Sequence, residues 1–148
     1  DIGVTDVVRA VRETVDEVKE EFSDEKDFEI EVDIDVNNLE VEGDYSLESL
    51  FRNLIWVRTE ERNCKRIEIS LEELEDQVLI AFDDDGKSLA ADVKEYIAEG
   101  KYTGETAGIG GFRYYIIREL AVHNNGEMEV SDSELGGPRF DIKLKKAS

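Results

Sequence analysis

An α/β two-layer sandwich, with a mixed β-sheet covered on one face by helices, is the fold class this sequence predicts. Three observations lead there. Apolar residues switch repeatedly between helical and strand spacing, giving the order helix, strands, helix, two strands, glycine-rich loop, helix, two strands. The connections between these patterns are short and polar, apart from the one rich in glycine. Hydrophobic residues make up 40% of 148, enough for one core of ordinary size. No internal repeat, low-complexity stretch or linker interrupts the pattern, so a single domain over 1–148 is expected.

The elements follow in order. Val7, Val8, Val11, Val15, Val18 and Phe22 recur three or four residues apart behind Thr5 and Asp6, either of which can cap an amphipathic helix. Phe28, Ile30, Val32 and Ile34 alternate with acidic residues as a strand with one wet face. Asn37 and Asn38 turn the chain into a short strand at Leu39 and Val41 that ends at Gly43. Leu47, Leu50, Phe51 and Leu54 form the stripe of a second helix, with Ser46 or Asp44 as its cap. Ile67, Ile69 and Leu71, then Val78, Ile80 and Phe82, read as a hairpin. A weaker helix is expected over 89–98, and a stronger one over 112–123. Met128 and Val130, then Phe140, Ile142 and Leu144, supply the last two strands.

The charge narrows the function classes. There are 38 acidic residues against 18 basic, a formal net of −20. That field repels nucleic acid and anionic lipid, which attract basic patches. The acids are dispersed from Asp16 and Glu17 to Glu134 and Asp141 and form no tail. Dispersed acidity of this size suits a solvated surface in concentrated salt, where self-repulsion is screened; a high-salt cytoplasm is the expected setting. Cys64 is the only cysteine, which excludes an internal disulfide and a zinc cluster and fits a reducing, intracellular compartment. No window has the apolar length of a membrane span, and the start of the chain carries no signal-peptide core.

Three features could carry chemistry. Val78, Ile80, Phe82 and Asp84 share one parity, so Asp84 emerges on the apolar side of its strand. A carboxylate there is costly unless it accepts hydrogen bonds, and an amino group on a buried ligand would supply them. Gly86 lets the backbone pass close to such a ligand. A tight acidic turn closing a strand fits the same residues with no ligand. Second, Gly104, Gly108, Gly110 and Gly111 run straight into a helix, an arrangement that exposes free N–H groups and suits phosphate; a plain surface loop is the alternative. Third, Ser49, Asn53 and Trp56 share a face of the second helix away from its core stripe.

Taken together, an asparagine-bearing helix, a strand ending in Asp-x-Gly, a glycine loop and a closing hairpin resemble the histidine-kinase branch of the Bergerat-fold ATPases. This is the superfamily shared with gyrase and heat-shock chaperones. Residues 47–55 are similar to the family's asparagine box, and 80–89 to its first glycine box. Residues 108–127 are similar to its second glycine box and following helix, with Tyr-Ile-Ile-Arg-Glu-Leu at 115–120 matching closely. Gly136-Gly137-Pro138-Arg139-Phe140 resembles the last box, and the stretch before Gly43-Asp44 the segment that joins the dimerisation hairpin.

The resemblance implies ATP and Mg2+ as ligands. It assigns adenine-amino acceptance to Asp84, room for the base to Gly86, magnesium to Asn53, and loop closure over the phosphates to Gly108 and Gly110. Ser88 and Gly111 complete the implied nucleotide-binding set. It further implies a kinase phosphotransferase in a two-component system. ATP would be presented to a histidine outside this chain, with a dimerisation domain and a response regulator as partners. His123 ends a helix where the family carries a structural histidine and is not expected to accept phosphate.

The sequence also departs from the pattern. The paired polar positions of the asparagine box are Ser49 with Asn53 or Asn53 with Val57, so the pair is incomplete in either register. Ser88 stands where the first glycine box has its second glycine, and Arg113 where the second box has another. Arg113 could pair with phosphate or block it. Two further readings stay open: a degenerate interaction module with weak or no ATP binding, and a serine-directed kinase resembling anti-sigma factors.

Overall fold

The structure is a computed structural model that describes residues 2–22, 28–60, 63–100 and 111–148. The elements are β1 (Val4–Asp6), α1 (Val7–Glu21), β2 (Glu29–Asp33), β3 (Glu40–Glu42), α2 (Ser46–Thr59), β4 (Arg66–Glu73), β5 (Gln77–Asp84), α3 (Ala91–Glu99), α4 (Gly111–His123), β6 (Glu127–Asp132) and β7 (Pro138–Lys145).

Helix α1 buries Val7, Val8, Val11, Val15 and Val18, the residues whose spacing predicts it. Of the two possible caps, Asp6 serves: its carboxylate accepts from the backbone of Val8 at 3.1 Å and Arg9 at 3.3 Å. The same oxygen accepts from Leu39 N at 3.2 Å, tying the helix start to the approach to β3. Strand β1 was not expected, because three residues are too few to show a period. It pairs antiparallel with β3 as a small separate ribbon, and a bridge from Val41 to Lys146 links that ribbon to the end of the chain. At α2 neither Asp44 nor Ser46 holds the cap position, which is Tyr45 and makes no side-chain cap hydrogen bond; Asp44, one residue earlier, accepts from Ser46 N at 2.8 Å and Ser46 Oγ at 2.5 Å.

The main sheet has five strands in the order β2-β4-β5-β7-β6. Strand β2 runs parallel to β4 and every other neighbour is antiparallel, which makes the sheet mixed as expected. Alternation separates its faces. Ile30, Ile67, Ile69, Val78, Ile80, Phe82, Phe140, Ile142 and Leu144 join one core with α1, α2 and α4. The opposite face is polar and laced with ion pairs, including Arg66 with Glu29, Glu31 and Glu68, and Lys143 with Glu129. Covering one face leaves one end of the sheet where the end of α2, the end of β5, the start of β7 and the start of α4 converge, as the hydrogen bonds below show.

Candidate nucleotide site

The alternation of β5 runs to its last residue, and Asp84 is accordingly buried, 1% exposed. Its charge is answered from within the chain. Arg58 donates from Nε to Oδ2 at 2.8 Å and from Nη2 to Oδ1 at 3.1 Å, a fork-on-carboxylate pair. Oδ1 also accepts from Gly86 N at 2.8 Å. Arg58 lies four residues after Leu54 on the core stripe of α2, so its stem packs inward, and the residue is 1% exposed. Nη1 donates to Tyr114 Oη at 3.0 Å, and Nη2 also donates to the Lys87 carbonyl at 2.7 Å. The guanidinium carbon sits 5.9 Å from the Phe140 ring centroid, and Tyr114 stacks on the same ring at 5.8 Å.

Burial alone pushes the Arg58 pKa down, but the hydrogen bond and charge of Asp84, with Tyr114, outweigh it and the net direction is up. Arg58 is therefore a permanent cation. Cys64 lies beside the pair. Burial, followed by the negative charge of Asp84, pushes its thiol up to about 12.

Two glycines shape the surroundings. A Cβ on Gly86 would meet Arg58 Nη2, Asp84 Oδ1 and the Cys64 Cβ, each at 3.0 Å. A Cβ on Gly137 would fall 2.7 Å from the Asp84 carbonyl, where Gly137 N also donates to that carbonyl at 3.0 Å. The flanking acids have other work. Asp83 accepts from Ser133 Oγ at 2.7 Å, and Asp85 accepts from the backbone of Lys65 and Arg66 at 2.8 and 3.0 Å.

On the other face of α2, Asn53 is half-buried and donates its amide nitrogen to the Ser49 carbonyl one turn back, at 2.8 Å. Ser49 is exposed and Val57 is buried in the core. Trp56 packs against Phe22 with ring centroids 6.0 Å apart and lies under the Arg113 guanidinium at 5.8 Å. Arg113 pairs with Glu60 at 3.0 Å. Gly111 opens α4 and is buried, Ser88 is exposed, and Gly108 and Gly110 lie outside the described residues. Among the described residues, no group of three or more His, Cys, Asp or Glu could hold a metal ion. His123 Nε2 is 2.9 Å from Asp44 Oδ2.

As they stand, these residues admit an adenine on Asp84 only if Arg58 moves. Both carboxylate oxygens are engaged by Arg58, and Nη2 fills the space that Gly86 leaves open. For magnesium, the Asn53–Val57 register offers only Asn53, because Val57 is in the core, and the Ser49–Asn53 register offers an exposed Ser49 whose carbonyl accepts from the Asn53 amide. Arg58 is the residue that the sequence reading missed. The signal was present: a cation four residues after Leu54 on a buried stripe needs a buried anion, and Asp84 was already placed on the apolar side of β5.

The fold and the order of its boxes define a nucleotide-binding ATPase class. The model of the histidine kinase-, DNA gyrase B- and HSP90-like ATPases matches residues 42–148, and the chain belongs to that family. It has the fold of histidine-kinase ATP-binding domains. The ATP-binding domain of PrrB from Mycobacterium tuberculosis is similar, with a TM-score of 0.77, 17% identity, and coverage of 100% of this chain and 99% of that one. The catalytic domain of the histidine kinase ThkA, in a nucleotide-free form, also gives 0.77, at 20% identity over 99% of this chain and 96% of that one. ThkA in complex with the response regulator protein TrrA gives 0.73 at 19% identity; 98% of this chain corresponds to 42% of that one. No curated protein sequence matches this chain significantly. No helix among the described residues is long and apolar enough to cross a membrane.

Proposed function

We propose that this chain serves a signal-transduction histidine kinase as its ATP-binding domain, presenting Mg-ATP to a histidine outside the chain. The observation that carries this reading is the meeting of the asparagine-box helix, the Asp84–Gly86 turn and the start of α4 at one end of the sheet, all joined through Arg58. The partners are a dimerisation domain bearing the acceptor histidine and a response regulator. The dispersed acids and the net charge of −20 support a cytoplasm rich in salt as the working environment. Calorimetry with ADP and ATP, with and without magnesium, in molar salt tests the reading. Measurable ATP binding with modest dependence on magnesium is the expected outcome, and no heat with millimolar nucleotide contradicts it.

A second reading has an observation of its own. Because Arg58 holds both oxygens of Asp84 and Val57 is buried where a metal ligand could stand, the same fold can work without nucleotide as a docking module in the signalling complex. Retained binding of the dimerisation domain or response regulator by a chain that takes no nucleotide distinguishes it.

A further inference from the structure

We infer that Arg58 is the chain's own occupant of the position from which Asp84 would receive a nucleobase, and that this residue determines whether the domain takes an adenine nucleotide. The inference rests on the reading of Asp84 as base acceptor.

The space around the guanidinium has the chemistry of a slot for a flat, nitrogen-rich group. One edge is a buried carboxylate with both oxygens accepting. Phe140 lies against it, with the guanidinium carbon 5.9 Å from the ring centroid. Gly86 adds no side chain, and Nη2 stands 3.0 Å from where its Cβ would be. Guanidinium and the amino edge of adenine share the properties this slot selects, planarity and N–H donors in the ring plane. The two cannot share it. Each donates to the same oxygens, and Nη2 already touches the glycine face that a base would need.

Arg58 is also held hard. Nε, Nη1 and Nη2 each donate, to Asp84, Tyr114 and the Lys87 carbonyl, and a base entering at Asp84 forfeits those contacts. Loss of its proton cannot release the side chain, because guanidinium stays charged at every working pH. Occupancy of the slot therefore turns on rotation of one side chain, or on replacing it with a small residue.

The test is ADP binding by calorimetry to the wild-type chain and to Arg58→Ala. Ethylguanidinium serves as an independent probe of the vacated slot, read by thermal unfolding. The proposal expects Arg58→Ala to bind ADP on the order of 10- to 100-fold more tightly than wild type, the range set by a buried polar contact left unmade. It also expects ethylguanidinium to stabilise Arg58→Ala, leave wild type unmoved, and compete with ADP. Where Arg58→Ala does not fold alone, it is folded with ethylguanidinium, and displacement of that ion by ADP gives the same readout. Equal ADP affinity in both proteins overturns the proposal while leaving the ATP-binding reading intact. Ethylguanidinium binding to Arg58→Ala with no ADP binding by either protein overturns both, because the slot is then open and Asp84 still takes no base.

Discussion

Tyr114 Oη accepts from Arg58 Nη1 at 3.0 Å, so the first turn of α4 is tied directly to the ion pair that closes β5. Removing that hydroxyl leaves a buried charged donor without its acceptor. Tyr114→Phe should therefore cost about 1–3 kcal/mol of stability, within the range for an unsatisfied buried group. Urea unfolding measures it; a midpoint unchanged from wild type contradicts the arrangement.

Asp84→Asn is expected to be a severe substitution for folding. The sequence resemblance implies a nucleotide role for Asp84. The structure adds a stability role, because an asparagine leaves the Arg58 cation buried and uncompensated, at about 3–5 kcal/mol. The pair Arg58→Met with Asp84→Leu removes both charges and should lose much less than the two single changes summed. Additive losses in that double-mutant cycle contradict the coupling.

Cys64 reports on the same region without any mutation. Its thiol, pushed up to about 12 by burial and then by Asp84, holds almost no thiolate at pH 8. A thiol reagent should label the native protein orders of magnitude more slowly than the urea-unfolded one. As the only cysteine, it gives an unambiguous signal. Rapid labelling of the native protein would show that this corner opens readily.

The acid limb of stability should carry a contribution from Asp44. The Ser46 hydroxyl, and after it His123, hold this carboxyl below its usual value. A lowered folded pKa adds stability that is present above the usual carboxylate pKa and lost as pH falls through the lowered one. Asp44→Asn should accordingly be less stable than wild type at neutral pH, with the gap closing below about pH 4, the usual aspartate range. Urea midpoints across pH 3–7 (about the working range of the titration) decide it. A gap independent of pH contradicts the assignment.

Salt should stabilise the whole domain. With a net charge of −20 spread over its surface, screening relieves repulsion that dilute buffer leaves in place. Unfolding midpoints should rise from dilute to molar salt. An unmoved midpoint removes the support for a high-salt setting.

Much of this architecture was legible in the residues themselves. The parity of Val78, Ile80 and Phe82 placed Asp84 inward, and the stripe from Leu47 to Leu54 oriented α2 on the sheet. What escaped was the far end of that stripe. Periodicity searches weigh apolar residues, so Arg58 fell out of the pattern although it occupies the next position on it. Its role depends on Tyr114, which is 56 residues away, and on Asp84, 26 residues away, separations that no local pattern spans. Strand β1 escaped because three residues show no alternation, and its partner β3 is reached only after α1 and β2. Arg113 was read as a phosphate ligand or a block. Its pairing with Glu60 and its place over Trp56 come from the packing of α4 on α2, which the sequence does not display.

The central claim is that Arg58 holds Asp84 in solution, and nitrogen-15 NMR of the arginine side chains tests it most directly. A buried Nε–H donating to a carboxylate exchanges slowly with solvent. The account predicts one arginine Nε–H cross-peak with strong exchange protection in the nucleotide-free chain, lost in Arg58→Ala. Absence of any protected arginine Nε–H in the nucleotide-free wild-type chain would contradict it.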